Sequence, residues 1–267
     1  MPLAVCATPI GNLDDVTLRV LRELADADVV LAEDTRHTRG LLQRHGVRAR
    51  LLSYHEHNEA KRTAELLPRL EGGERVALVS DAGLPGINDP GARLIAAALE
   101  AGVPVTVLPG PSAVETALVA SGLVGERYQF VGYLPRGEKA LFELGEELVR
   151  WPWPVVAFES PQRLGRSLAV LARAIPERPA SVCRELTKRF EEVGRGTVAE
   201  LAQRFAEAVK GEITLVLGPG SSAGGDEAAA AAAVADLVAA GAARRQAAEV
   251  VARLTGVPRN RLYRASL

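Results

Sequence analysis

Ser80-Asp81-Ala82-Gly83-Leu84-Pro85-Gly86-Ile87-Asn88-Asp89-Pro90-Gly91 follows the short apolar run Arg75-Val76-Ala77-Leu78-Val79. That run reads as a buried parallel strand, and Ala92 to Ala101 beyond the loop reads as a helix. Open α/β sheets place ligands just outside the carboxyl ends of their strands, where such a loop begins. Three glycines and two prolines in twelve residues make a stiff backbone that a ligand can approach closely. Asp81, Asn88 and Asp89 add two carboxylates and an amide. A long crossover turn with helix-capping acids accounts for the same residues. A second loop of this kind further along favours the ligand reading.

Working outward, Leu3 to Ala7 reads as a first strand running into Thr8-Pro9-Ile10-Gly11-Asn12-Leu13, with a helix after it carrying Leu18, Leu21 and Leu24 at helical spacing. The loop has one glycine and lacks the G-x-G-x-x-G spacing of a dinucleotide fingerprint. Val29 to Ala32 is a second strand and delivers Glu33-Asp34-Thr35-Arg36-His37-Thr38-Arg39. Arg50 to Tyr54 is a third, ending in His55-Glu56-His57-Asn58. All four histidines fall in this segment, and His55-x-His57 on an extended chain puts both imidazoles on one face. No third ligand stands at a known metal-site spacing, so no metal is expected. The arginines mixed in (36, 39, 44, 48, 50) suit a polar substrate face or a solvated charged one. Val103 to Leu108 is a further strand. It ends in Pro109-Gly110-Pro111-Ser112-Ala113, where a capped helix start offers free N–H groups to a carboxylate or phosphate.

From about Tyr128 the pattern restarts. Val155 to Phe158, Ser181 to Cys183, Glu191 to Thr197 and Glu212 to Leu217 read as strands of a second α/β unit. Several of its connections are too short for a crossover helix, so it has antiparallel character. Ser221 to Gly225 reads as a flexible linker. The last forty residues are helical by composition, broken at Gly241 and at Thr255-Gly256-Val257-Pro258, and sized for a helix-turn-helix unit. With six arginines against two acids this tail carries +4 on a chain of net charge −1, leaving −5 on the rest. A basic helical tail on an acidic body suggests a grip on nucleic acid, with a solubilising cap as the plain alternative. The expected division is 1–122, 123–220, a linker at 221–227, and 228–267.

Composition limits the classes open to the chain. At 267 residues and 48% apolar it supports two domains with sizeable cores. Cys6 and Cys183 lie far apart in apolar runs and read as buried thiols of a reducing compartment. The start lacks a signal-peptide pattern, and no stretch approaches the roughly 20 apolar residues of a membrane span. A soluble, cytoplasmic protein is expected. Aromatics make up only 4%, so recognition of RNA by sugar, phosphate and shape is favoured over base stacking.

Ala7-Thr8-Pro9-Ile10-Gly11-Asn12-Leu13, Ala32-Glu33-Asp34-Thr35-Arg36-His37-Thr38, Val79 to Gly83 with Ile87 to Gly91, Leu108-Pro109-Gly110-Pro111, Phe158-Glu159-Ser160, Arg184-Glu185-Leu186-Thr187-Lys188 and Gly211-Glu212 form an ordered series. In that series the chain closely resembles the ribosomal RNA small-subunit methyltransferase I family, and Gly256 to Tyr263 is similar to that family's small C-terminal helical domain. The resemblance implies an α/β fold of two tetrapyrrole-methylase-type domains with the cofactor cleft between them, plus the helical domain, in a homodimer. It implies S-adenosyl-L-methionine as cofactor and small-subunit ribosomal RNA (or the 30S subunit) as substrate. The implied reaction is 2′-O-methylation of a cytidine ribose in the decoding region of 16S ribosomal RNA. Two positions depart from the pattern: Leu84 stands where Thr is expected, and Gly86 where a larger apolar residue is expected.

On this resemblance Pro9, Asp81, Ala82, Gly83, Ile87, Ser112, Ala113, Glu159 and Leu186 are expected to bind the cofactor, Glu159 and Leu186 by backbone and apolar contact. Asp34, His55, Glu185 and Lys188 are expected to carry the chemistry, with Asp34, His55 or Glu185 accepting the hydroxyl proton. Arg36, Asn58, Asn88, Arg259 and Arg261 are expected to contact RNA. A tetrapyrrole C-methyltransferase on the same fold and a non-catalytic RNA-binding assembly factor remain as alternatives.

Overall fold

The computed structural model describes residues 2–220 and 227–266. The chain divides into two compact units, Met1–Thr116 with Glu185–Glu192, and Ala117–Arg184 with Val193–Leu267. Where the sequence suggests a boundary at residue 122, this division falls after Thr116 and counts the segment 185–192 with the first unit.

The first unit alternates strand and helix: β1 (Leu3–Cys6), α1 (Leu18–Asp26), β2 (Val29–Ala32), α2 (Thr35–Arg44), β3 (Leu51–Ser53), α3 (Glu59–Glu71), β4 (Val76–Leu78), α4 (Ala92–Glu100) and β5 (Val105–Leu108). The sheet order is β3-β2-β4-β1-β5, and all its pairings are parallel. Successive side chains of a strand point to opposite faces, and the buried runs divide accordingly. Leu3, Val5, Val29, Leu31, Val76 and Leu78 pack with Leu66, Leu70, Leu94 and Ala98 of α3 and α4. Ala4, Cys6, Val30, Ala32, Ala77 and Val79 pack with Val20, Leu24, Leu41 and Leu42 of α1 and α2. The sheet is therefore doubly wound, and every strand ends at the same edge. Chains leaving β4 turn to one face while those leaving its neighbours β1 and β2 turn to the other, opening crevices at the carboxyl ends.

The second unit holds β6 (Gln129–Tyr133), α6 (Glu138–Val149), β7 (Val155–Glu159), α7 (Leu164–Ala174), β8 (Pro179–Arg184), β9 (Glu192–Thr197), α8 (Val198–Arg204) and β10 (Ile213–Leu217), with α5 (Ala113–Ser121) spanning the division. Its sheet order is β6-β7-β10-β8-β9. β10 runs antiparallel to both neighbours, while β6 and β7, joined through α6, are parallel. Val155, Ala157, Val182, Leu215 and Leu217 form its core with Leu164, Leu168 and Leu171 of α7. Both cysteines are buried thiols, and burial pushes the Cys6 thiol up to about 12.

The three pieces expected in the tail are α9 (Glu227–Ala239), α10 (Arg244–Thr255) and α11 (Arg259–Ala265). They share a cluster of their own, with Val234, Ala248, Val251 and Leu262 buried. α10 stops at Gly256 in the left-handed conformation (φ 74°), a usual helix terminator. All but the last residue of the linker expected at 221–227 lie outside the described residues. No helix among the described residues is long and apolar enough to cross a membrane.

Candidate active site

The loops at the carboxyl edge of the first sheet are tied to one another. Thr8, just past β1, exchanges backbone hydrogen bonds with Gly83, its N–H reaching Gly83 O at 2.8 Å and its carbonyl accepting from Gly83 N at 3.1 Å. Its buried hydroxyl donates to Ser80 O at 3.0 Å. The start of the 80–91 loop is thus clamped to the β1 loop across the crevice. Its far end is held from α3: Glu59 Oε1 accepts from Gly91 N at 3.1 Å and from the Tyr54 hydroxyl at 3.2 Å. Tyr54 is buried, and its hydroxyl also meets Thr63 Oγ1 at 3.0 Å. Burial pushes that phenol up to about 12, so it stays a neutral donor. Between these anchors the tip projects, with Ile87 and Asn88 exposed and Asn88 left-handed at φ 60°.

The two departures from the family pattern have local causes. Leu84 turns inward and packs on the core beside α3 and α4. Gly86 has φ 87°, a backbone that a branched apolar residue adopts only with strain.

The edge gathers carboxylates. Asp81 Oδ1 accepts from Asp34 N at 3.0 Å, linking the β4 and β2 loops. Burial, with Asp81 nearby, raises the Glu33 carboxyl above its ordinary value. Asp89 is pushed up to about 6, first by burial and then by the charge of Glu33, while a bond from the Ser80 hydroxyl pulls it partly back. Glu33, Asp81 and Asp89 therefore feel one another. Asp34 behaves differently. It caps α2 by accepting from Arg36 N at 2.8 Å, and its two oxygens grip the Arg36 guanidinium at 3.1 and 2.7 Å. Those bonds hold it far below the usual carboxylate range, so it is a weak proton acceptor at neutral pH.

His55 and His57 sit in a turn, not on the extended chain that their spacing suggests, with ring centroids 5.9 Å apart. Asn58 fixes His55: its Oδ1 accepts from His55 N at 2.9 Å, and its Nδ2 lies 3.1 Å from His55 Nε2. The amide nitrogen donates, so Nε2 accepts and the ring proton sits on Nδ1. That buried Nδ1 has no hydrogen-bond partner among the described residues. His55 thus presents a donor. His45 is separate, with its Nε2 2.9 Å from Leu13 O, and His37 lies on the surface of α2. No group of three or more His, Cys, Asp or Glu side chains suited to a metal occurs among the described residues.

Glu185, Leu186 and Lys188 belong to the segment that counts with the first unit. Thr187 Oγ1 accepts from Asn12 N at 3.0 Å, and Lys188 Nζ pairs with Glu185 at 2.9 Å. A Cβ on Gly11 would stand 2.5 Å from Lys188 Cγ and 2.8 Å from Leu186 O, so only glycine admits this docking. Glu185 and Thr187 both take left-handed backbone, at φ 53° and 64°. For a β-branched residue such as Thr187 that conformation is a genuine outlier, of the sort concentrated at functional segments.

Of the residues singled out from sequence, Pro9, Asp34, His55, Asn58, Asp81, Ala82, Gly83, Ile87 and Asn88 lie on the loops of one sheet edge, with Glu185, Leu186 and Lys188 against the β1 loop. Ser112 and Ala113 follow β5 at the same edge, where the Ser112 hydroxyl is already bonded to Glu115 of the first turn of α5. Glu159 has its carboxylate inside the second unit, accepting from Ser167 Oγ at 2.5 Å, Arg163 at 3.0 Å and Ser160 N at 2.6 Å. Only its backbone is left for a ligand. Arg259 and Arg261 are on α11. Sequence reasoning passed over Glu33, Asp89, Glu59 and Tyr54 as site residues. Glu33 follows directly on an apolar strand and Asp89 lies in the decisive loop, which is the signal they carried. Nothing local pointed to the Tyr54–Glu59 clamp.

The model of the Tetrapyrrole (Corrin/Porphyrin) Methylases family matches residues 2–202. The chain is 44% identical over 268 residues to ribosomal RNA small subunit methyltransferase I of Mesorhizobium japonicum, covering 99% of this chain and 91% of that one. It is 46% identical to the protein of the same name from Micromonospora olivasterospora, over 98% and 85% of the two chains. Among solved structures it is similar to uroporphyrin-III-C-methyltransferase from Thermus thermophilus, with TM-score 0.58, 24% identity and 84% and 97% of the chains covered. Diphthine synthase matches with TM-score 0.61 at 17% identity, over 81% and 89%. These structural likenesses show the fold alone, and a fold of this kind carries several chemistries.

Proposed function

Because the chain belongs to the ribosomal RNA small subunit methyltransferase I family, within the tetrapyrrole methylases, we propose that it methylates the 2′-oxygen of a cytidine ribose in the decoding region of 16S ribosomal RNA, using S-adenosyl-L-methionine. The observation that carries this is identity of 44–46% over almost the whole chain, C-terminal helices included, with proteins of that name. The alternative of tetrapyrrole methylation has only the fold behind it.

The first unit's edge suits such a cofactor. The loop start at Ala82 and Gly83 is held rigid by the Thr8 clamp at the carboxyl ends of the strands, and a carboxylate edge favours a positive sulfonium. Pro9, Asp81, Ala82, Gly83, Ile87, Ser112, Ala113 and Leu186 are the residues assigned to hold it. When bound, the cofactor supplies an electrophilic methyl group poised for in-line displacement.

A ribose hydroxyl is a poor nucleophile, so the protein must align its oxygen and take its proton. Asp34 is held ionised by Arg36, His55 presents a donor, and Glu185 is paired with Lys188. Asp89 has the best-matched basicity and is assigned as proton acceptor, passing the proton to solvent. Asn58 and His55 brace the turn beneath the site, Asn88 orients the sugar, Arg36 and Lys188 hold phosphate, and Arg259 and Arg261 supply further grip from the tail. The family resemblance also implies a homodimer, which sedimentation of the purified protein measures.

The deciding experiment incubates the protein with methyl-labelled cofactor and, in separate reactions, 30S subunits, naked 16S RNA and a porphyrinoid. Labelled 2′-O-methylcytidine after digestion of the RNA is the expected product. Label on a base, on the porphyrinoid, or on nothing refutes the assignment.

A further inference from the structure

We infer that the exposed face of α2, centred on Gly40, is a docking surface for the phosphate backbone of the RNA substrate. This surface rests on the RNA-methylation function proposed above and assigns it a recognition element outside the catalytic edge. Thr38, Leu41 and Leu42 bury one side of α2 against the core. Arg36, His37, Arg39, Gly40, Gln43 and Arg44 are exposed, and the helix contains no acid. Positions 36, 39, 40 and 43 fall on one stripe of an α-helix.

Gly40 is the telling residue. It sits in the middle of the helix, at no positive φ, and a Cβ there would meet nothing within 4 Å. Glycine in a helix interior destabilises relative to alanine, and neither packing nor backbone geometry here requires it. What its missing side chain provides is a low point in a wall of arginines, where an incoming chain can lie close to the helix.

The flanks carry the same charge. On one side Arg39, Gln43 and Arg48 line a groove over Val47 and Leu51. On the other, Arg44, Lys188 and Arg189 line a second groove with one acid, Asp14, and with Asn12 and Thr187. Arg44 is pre-oriented by Asp14, its Nε and Nη2 reaching the two carboxylate oxygens at 3.1 and 2.9 Å. Arg39 has no ion-pair partner among the described residues. A second copy of the chain offering this face would oppose arginine to arginine, whereas a polyanion complements it. The helix starts at the Asp34 cap on the catalytic edge and is about 15 Å long. A strand laid along it therefore arrives at the edge where the hydroxyl is methylated.

The test measures binding of a small-subunit RNA fragment by fluorescence anisotropy from 50 to 300 mM salt for the unmodified protein, Arg39→Glu and Gly40→Leu. Cofactor affinity, melting temperature and sedimentation are followed in parallel. Arg39→Glu is expected to weaken RNA binding about tenfold or more and to lower the salt slope by about 1. Gly40→Leu is expected to weaken it several-fold while melting at the same or a higher temperature, because leucine favours the helix. A merely structural glycine would not give that split. If the unmodified protein binds the RNA and both variants match it in affinity and slope, the surface is refuted and the function stands. If Arg39→Glu changes the oligomeric state with RNA affinity intact, the face belongs to a second copy and the inference is likewise overturned. Failure of the unmodified protein to bind RNA overturns the proposed function, and this surface with it.

Discussion

Replacing Asp89 by Asn separates stability from catalysis in opposite directions. The Asp89 carboxyl is raised from 3.8 to about 6, largely by burial. In the folded protein it therefore holds its proton to higher pH than in the unfolded chain. Where the native state binds more protons, stability falls as pH rises. The contribution is fully present below about pH 4 and is lost by the time pH has passed about 6. A shift of about two units at 1.36 kcal/mol each gives ~3 kcal/mol. Asp89 is only partly buried, so solvent screening reduces this to about 1–2 kcal/mol. Glu33, raised for the same reason, pushes the same way. Asn keeps the shape without the charge, and Asp89→Asn should gain about 1–2 kcal/mol at pH 8, or a few degrees in melting temperature. It should gain little at pH 4. Methyl transfer at saturating cofactor should fall at least tenfold, and the unmodified enzyme's rate should climb with pH through about 6. Urea unfolding at both pH values, with single-turnover assays across the range, reads both effects. A variant that is no more stable at pH 8 and turns over normally refutes the roles given to the acidic edge and to Asp89.

Three further outcomes follow from the same geometry. Glu59→Ala removes the acceptor for Gly91 N and the Tyr54 hydroxyl; it should cost about 1–3 kcal/mol in denaturant unfolding and raise the cofactor KM more than it lowers kcat, with Glu59→Gln partly restoring both. Leu84→Thr, which restores the residue expected from the family, puts a hydroxyl where Leu84 packs on the core; it should destabilise by about 1–2 kcal/mol and leave cofactor affinity by calorimetry unchanged, since Leu84 offers a ligand only backbone. Removing residues 227–267 deletes helices that share their own apolar cluster; RNA binding by filter assay should weaken while cofactor affinity holds, and equal loss of both would make the tail a structural cap.

The strands of the first unit were legible because each is a short apolar run between turn residues, and so were the helices after the β1 loop and over 92–101; α2 and α3, whose starts are crowded with polar residues, were not assigned. The antiparallel character expected of the second unit is present, but it comes from β10, which follows α8 and inserts between β7 and β8, strands not adjacent to it in the chain. The unit's first strand, β6, was not assigned, because Gln129–Tyr133 is only half buried and broken by a register shift, so it lacks a continuous apolar signature. The His55-x-His57 spacing suggested an extended pair, but a tight turn ahead of α3 won, fixed by an Asn58 side chain whose role no local pattern announces.

By itself, then, the sequence determined which segments end in polar loops, since apolar periodicity and glycine and proline positions act over a few residues. It also determined family membership, through long motifs in order. The tertiary structure alone decided which of those loops share an edge, because strand order β3-β2-β4-β1-β5 is set by how the helices cross the sheet. That placement brings Glu33, Asp81 and Asp89 within reach of one another's charge, and seats Leu186 to Lys188 beside Gly11 and Asn12, with Thr187 175 residues from Asn12. Charge and packing act through space, so their sums appear only once the chain has folded.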